Sequence, residues 1–430
     1  MKKLGMVALA ALLVVAFTAP AWALEAEFGG YWRTRFFTNQ NFTGEDETEA
    51  QDQSLVDTRT RLYFTAIFHE NLKFVNKFEF DADWGEDPLG DLGADGKEFE
   101  IKNSYADFNI GPVNAKIGIQ GVRLARSFIA DTDAAGAVVT FNGNNFSLPL
   151  IWVRPTEGSQ QGFIDDNDQD LDVYGIAPSF QAGGVSINPY AFYVYSEDAA
   201  RFANNEGLAS PAEQAVLPNT EELNIWYAGA DVDFSFDPVS FWLTGIYQGG
   251  DADLVGGDSV DFSAYLAAVG ASVGMGFGDI HAEAFYASGD DDPADDDIET
   301  FFVPGLMESY YWGEIMGYGT FDDQVSNNAP ADQIHNILAA NIGVTVNPMD
   351  KLSVSLDAWY AMLAEEITLA DGSTEDYLGT ELDLKISYEL VDNLNLSVIG
   401  AYLFAGDATT ENSPNDADPY EVGAQLSLSF

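Results

Sequence analysis

The sequence predicts an all-β chain, a transmembrane antiparallel β-barrel of about 18 strands with 16 as the alternative count, joined by short periplasmic turns and long extracellular loops. Three observations predict it. The chain opens with an export signal; residues 25–430 repeat segments of about 10 to 14 residues with period-two hydrophobicity; and the last such segment ends on Phe430.

Lys2 and Lys3 precede an apolar run from Leu4 to Phe17, and Ala21, Trp22 and Ala23 form a small-x-small cleavage site. Residues 1–23 therefore read as a signal peptide, and 24–430 as a single barrel domain starting at Leu24. The apolar run is too short for a spanning helix, and no later window holds the roughly 20 apolar residues one needs. The chain has no cysteine, which excludes lipoprotein anchoring, disulfides, Cys-ligated zinc and c-type haem attachment. No cofactor is expected. Removing the signal leaves 15 basic residues against 70 acidic ones, a formal charge of −55. Nucleic acid is excluded as a partner, because phosphate binding requires the opposite balance. With 47% hydrophobic and 13% aromatic residues the chain is nevertheless a folded one.

The alternation is clearest at the end of the chain, where Val422, Ala424, Leu426, Leu428 and Phe430 interleave with Glu421, Gly423, Gln425, Ser427 and Ser429. Leu382 to Leu390 and Leu352 to Tyr360 repeat the pattern. Short turns fall at His69–Leu72, Gly111–Pro112, Asn142–Asn145, Gly183–Gly184, Asp237–Pro238, Gly276–Asp279, Asn347–Asp350 and Asp392–Asn393. Longer acidic or Gly-rich loops fall around 39–55, 84–97, 122–134, 157–170, 197–220, 250–258, 290–333, 364–378 and 406–419. Eight turns and nine loops join eighteen strands; the weak alternation of 135–141 and 146–156 leaves sixteen open. A soluble solenoid or sandwich is disfavoured by aromatics near segment ends (Trp32, Phe36, Phe80, Trp84, Phe234, Phe236, Tyr360, Tyr402) and by inward faces that read as polar or charged throughout.

Threading the alternation puts Arg33 and Arg35 of the first strand, Arg59 and Arg61 of the second and Lys73 and Lys77 of the third on the lumen side. Strands lie about 4.8 Å apart, so these cations form one basic wall. Asp231, Asp233, Glu283, Asp357, Glu381, Asp383 and Glu389 face inward from the opposing sector, and the two together predict a transverse field across the channel. The competing expectation is that each arginine pairs with a neighbouring acid. The loop Val122–Ala134, with Arg123, Arg126, Asp131 and Asp133, either folds inward as a constriction or stays on the surface. The acidic run holding Asp290, Asp291, Asp292, Asp295, Asp296 and Asp297 has the oxygen ligands that calcium or magnesium takes but no EF-hand spacing, and reads as a solvated loop. Only His69, His281 and His335 are available for general-base work. They fall at a turn and at two strand starts near opposite rims, so no catalytic pair and no enzyme is expected.

At Glu98–Pro155 the strand with Lys102, Tyr105, Ala106 and Asp107, then Lys116, Gly118, Gln120 and Gly121, then Asp131 and Asp133, then Trp152, Arg154 and Pro155, resemble the homotrimeric outer-membrane porins of sulfate-reducing delta-proteobacteria. The resemblance implies a trimeric general porin with an inward-folded third loop. Taken with the residues, it gives three expectations: a passive channel for small hydrophilic solutes and ions, a substrate-specific channel, or a structural barrel sheathing a surface partner. Outer-membrane lipid and lipopolysaccharide are the surroundings each of them implies.

Overall fold

The computed structural model describes residues 25–46, 52–85, 98–156, 170–197, 199, 217–292, 295–305, 307 and 309–430. The expected signal peptide lies outside the described residues, as do most of the loops at 84–97, 157–170 and 197–220.

The first half of the wall is built from β1 (Glu25–Gln40), β2 (Gln53–His69), β3 (Leu72–Asp83), β4 (Glu98–Ile110), β5 (Val113–Leu124), β6 (Ala130–Asn142), β7 (Phe146–Thr156), β8 (Leu171–Ile176) with β9 (Ser179–Ala182), and β10 (Val185–Ser196). The second half is β11 (Thr220–Phe236), β12 (Val239–Leu254), β13 (Ser259–Met275), β14 (Gly278–Ala287), β16 (Ile337–Met349), β17 (Leu352–Thr368), β18 (Thr374–Val391), β19 (Leu394–Ala405) and β20 (Tyr420–Ser429). The two-residue β15 (Asp297–Ile298) runs parallel to β13 and is extra to the wall. β8 and β9 are halves of one stave, both pairing β7 and β10. Eighteen antiparallel staves result, closed by β1 against β20. Closure gives each of the described staves a hydrogen-bonded neighbour on both sides, the condition for crossing hydrocarbon with β-structure.

The segments that alternate weakly become complete strands, β6 and β7. All eight predicted turns connect staves at one end of the barrel. The connections at the other end are shorter than expected at four places: β5 and β6 pair out to Leu124 and Ala130, β12 reaches Leu254, β17 reaches Thr368, and β2 begins at Gln53. Backbone pairing needs no apolar side chain, so strands continue past the point where hydrophobic alternation stops.

At the seam, Phe430 exchanges backbone hydrogen bonds with Gly30, at 2.7 and 3.1 Å. Its ring packs where a Cβ on residue 30 would sit. The outward face is an apolar band that includes Phe36, Phe80, Trp84, Phe236, Tyr360 and Tyr402.

The inward faces differ from the expectation of polarity throughout. On β11 the inward row reads Leu223, Ile225 and Tyr227 at the loop end and Asp231 and Asp233 at the turn end. Leu223, Ile225 and Tyr227 are fully buried, in a cluster with Phe128, Phe285, Phe301, Phe302, Trp312 and Trp359. The barrel therefore has an internal apolar core in its loop-end half. Two inward-folded pieces of chain complete it.

Candidate functional site

The basic residues of the first strands are paired mainly within their own wall. Register sets Arg35 opposite Asp57, Arg59 opposite Asp81 and Arg61 opposite Glu79. Arg35 bonds the Asp57 carboxylate, Arg59 bonds Asp81 at 2.6 Å, and Arg61 bonds Glu79. Lys102, at a register shift in β4, adds contacts to Asp133 at 3.3 Å and Glu79 at 3.9 Å. Lys77 lies over the Tyr63 ring at 6.0 Å, and Lys73 stands opposite Asp107. The expected transverse field is thus corrected: opposite charges on adjacent staves cancel locally, because charges one strand apart interact more strongly than charges across the lumen.

The segment read as loop Val122–Ala134 is two strand ends and a five-residue tip. β4 stops pairing with β5 at Ser104–Ile119, while β5 and β6 stay paired to Leu124–Ala130, so the end of this hairpin leaves the wall. It turns inward. Phe128 stacks on Tyr310 at 4.0 Å and tilts against Phe285 of β14. Arg126 reaches Asp233 at 2.5 Å and Thr244 at 3.0 Å, and its guanidinium lies 4.9 Å from the Trp242 ring centre. Arg123 is mostly exposed and contacts Ser127 at 3.0 Å and Asp131 at 3.7 Å, while Asp133 faces back to Asn103 and Lys102. Ala125, Arg126 and Ser127 all have positive φ, at 49°, 55° and 77°. Three consecutive left-handed non-glycine residues cost on the order of 1 kcal/mol or more each. The tip is held against that cost by its contacts. A cavity of about 350 Å³ beside it is lined by Arg123, Arg126, Asn188, Tyr190, Asp231 and Asp233.

The stretch expected as the long acidic surface loop 290–333 is the second inward piece, and this is the largest correction. Its described residues from Thr300 to His335 run through the barrel interior. Tyr227 of β11 donates to the Phe302 carbonyl at 2.8 Å, and Gln248 of β12 accepts from its N–H at 3.0 Å. Trp312 packs edge-on against Phe285 and Trp359. On β18, Glu381 accepts the N–H groups of Ile315 and Met316 at 2.8 and 3.0 Å, and Lys385 donates to Thr320 Oγ1 at 3.0 Å. On β1, Arg35 donates to the carbonyls of Thr320 and Phe321 and binds Asp322, while Arg33 lies 3.5 Å from Asp322. Phe321 stacks on Phe37 at 4.9 Å, above Gly423 of β20, where a Cβ would collide with its ring. The piece is fastened to staves on both sides of the barrel. Sequence reasoning missed it although a signal was present: Phe301, Phe302, Tyr310, Tyr311, Trp312, Tyr318 and Phe321 crowd a stretch too aromatic for a solvated loop.

The acidic run before it does not converge. Asp290 and Asp295 accept the N–H groups of Asp292 and Asp297, and no metal-holding cluster of three acids or histidines exists among the described residues. His281 bridges Asp279 at 2.9 Å and Asp357 at 2.7 Å; His335 faces the Gln333 carbonyl at 2.8 Å; and His69 accepts from Asn71 in its turn.

The family described as alginate export matches residues 24–422. The chain belongs to the alginate export family. No curated protein matches it significantly. Among solved structures it is similar to OpdK of Pseudomonas aeruginosa with vanillate (12% identity, TM-score 0.58, 94% of this chain and 98% of that one). It is also similar to OccAB4 of Acinetobacter baumannii (10%, 0.56, 96% and 100%) and to a BenF-like porin of Pseudomonas fluorescens Pf-5 (11%, 0.54, 94% and 99%). At such identities the likeness is one of fold. This member of the alginate export family is an outer-membrane β-barrel channel of porin-like architecture.

Proposed function

We propose that the channel passes small hydrophilic solutes and ions by passive diffusion through a lumen narrowed by the 125–129 tip and the 300–335 segment. The observation that carries this is the lumen lining. Beside the inward segment it carries charge of both signs, with cavities of about 200 Å³ next to Arg33, Arg59, Asp81 and Asp322 and about 270 Å³ next to His281, Glu283, Asp357 and Lys385. Arg33, Arg35, Arg59, Arg61, Lys73, Lys77, Arg123, Arg126, Asp131 and Asp133 are the residues assigned to this lining and its constriction. Alginate is a polyuronate, and a conduit for such a chain needs cations left free to meet it. Here the arginines of β1 and β2 are matched by Asp57, Glu79, Asp81 and Asp322, which favours small solutes over a polyanion.

Planar-bilayer recording on the mature barrel tests this, with ohmic, salt-dependent steps expected. Under a salt gradient the reversal potential should report a weak cation preference, screened at high salt; strong anion selectivity overturns that part, and correctly folded barrels with no conductance overturn the whole. The inward segment favours a second reading, a substrate-specific channel, for which flux of one solute saturates with concentration. It disfavours the sheath, since the chain's own residues occupy the space a partner would need. The proposal includes the signal peptide at 1–23, next to which the family match begins, and the homotrimer, read out as three copies in the detergent-solubilised assembly.

A further inference from the structure

Where the inward segment meets β18 and β20, carboxylates outnumber cations. Glu314 and Asp323 come from the segment, Glu381 and Asp383 from β18, and Glu421 from β20. Glu381 and Glu421 are fully buried and Asp383 is 7% exposed. Glu314 is satisfied by the N–H and hydroxyl of Thr320, and Glu381 by Ile315 and Met316. Asp383, Glu421 and Asp323 each keep one buried carboxylate oxygen without a hydrogen-bond partner.

The charges facing the cluster from other elements do not neutralise it. On β1, Arg35 is engaged by Asp57 of β2 and by Asp322, and Arg33 faces Asp322. Arg59 of β2 is engaged by Asp81. On β14 and β17, His281 is held by Asp279 and Asp357, and Glu283 accepts from Tyr310. Lys385 of β18 remains, and its ammonium group donates to Thr320. Several buried carboxylates beside one such cation cannot all be ionised at low cost, because desolvation and mutual repulsion both favour the protonated form. Burial accordingly holds the Asp323 carboxyl above the usual carboxylate range.

We infer that Glu314, Asp323, Glu381, Asp383 and Glu421 form a proton-operated mooring, which keeps residues 312–323 docked while the cluster retains protons and loosens them as it ionises. Rising pH transfers those protons to water, and the charges left behind repel across the joint between segment and wall. The buried side chains of Phe301, Phe302, Ile315, Met316 and Phe321 hold the segment independently of this one joint, because their removal from water does not depend on pH. The loosening is therefore local, and the segment is not expelled.

The inference rests on the proposed channel only for its effect on conductance, so the test has two readouts. Hydrogen exchange of peptides covering 312–323 is measured on the mature barrel at pH 5.5 and 8.5, corrected for intrinsic exchange, for wild type, Asp383→Asn/Glu421→Gln and Asp322→Asn. Wild type should exchange about tenfold faster at the higher pH, and the double variant should stay protected at both. Asp322→Asn, which removes the ion pair from the Arg35 tether and leaves its bonds to the Thr320 and Phe321 carbonyls, should raise exchange at both pH values and keep the ratio between them. Equal protection of wild type at both pH values, or loss of the ratio in Asp322→Asn, overturns the mooring. Conductance should rise with pH in wild type and stay flat in the double variant. A conducting barrel with pH-independent exchange leaves the channel proposal standing and removes the mooring; pH-dependent exchange in a barrel that never conducts does the reverse.

Discussion

Arg35 is the most heavily engaged cation described: it holds Asp57, Asp322 and two carbonyls of the inward segment, with its side chain 6% exposed. Arg35→Ala leaves Asp57 buried without its partner and frees the segment at one end. Breaking a buried pair from one side costs about 3 to 5 kcal/mol, against about 1.5 kcal/mol for Arg59→Ala, whose side chain is 24% exposed. Urea unfolding in detergent should rank the two in that order. His335 gives a pH-dependent contribution. Burial pushes its imidazole below the ordinary value, so the unfolded chain binds the proton more readily. The stability it supports is complete above about pH 6.5, the unfolded value, and is lost progressively as pH falls from there through the lower folded value. His335→Gln should remove part of the difference in unfolding midpoint between pH 7.5 and pH 5.5; an unchanged difference would show that carboxylates alone set it. Sequence alternation placed Arg35 on the correct face. It could not show that Asp57 and Asp322 would both reach it, since one partner comes from register and the other from a segment 287 residues away.

At the scale of elements, the β5–β6 hairpin was visible as two segments and misread as to where they end. Its tip pays for three left-handed residues with the Arg126–Asp233 contact and the Phe128–Tyr310 stack. Ala125→Gly removes the Cβ penalty at φ 49° and should stabilise the barrel by about 0.5 to 1 kcal/mol, seen as a later unfolding midpoint; a loss of stability would mean that the Ala125 methyl, itself buried, contributes more by packing than it costs in strain. The turns were legible because Gly, Pro, Asn and Asp punctuate them. Strand ends beyond the apolar band were not, because pairing there is carried by backbone groups that leave no mark on composition.

For the whole molecule, the consequence of the inward segment is a restricted passage. Replacing residues 303–330 by a short Gly/Ser linker removes most of the obstruction inside an intact wall. Single-channel conductance should then rise several-fold and larger solutes should pass; unchanged conductance would place the limiting section elsewhere. The sequence by itself determined the membrane setting, the barrel, a wall of about eighteen staves with sixteen left open, and which side chains alternate inward, because a strand's period of two and the need to satisfy every backbone group in lipid are local rules written into each segment. Only the tertiary structure decided what fills the wall. The partners of an inward-folded segment lie on distant staves, and its aromatic residues look like a loop until Leu223, Ile225, Tyr227 and Trp359 are seen to need covering. The same holds for the charges: composition counted 70 acids, and the fold alone determined which of them neutralise the arginines and which are left crowded together where the segment docks.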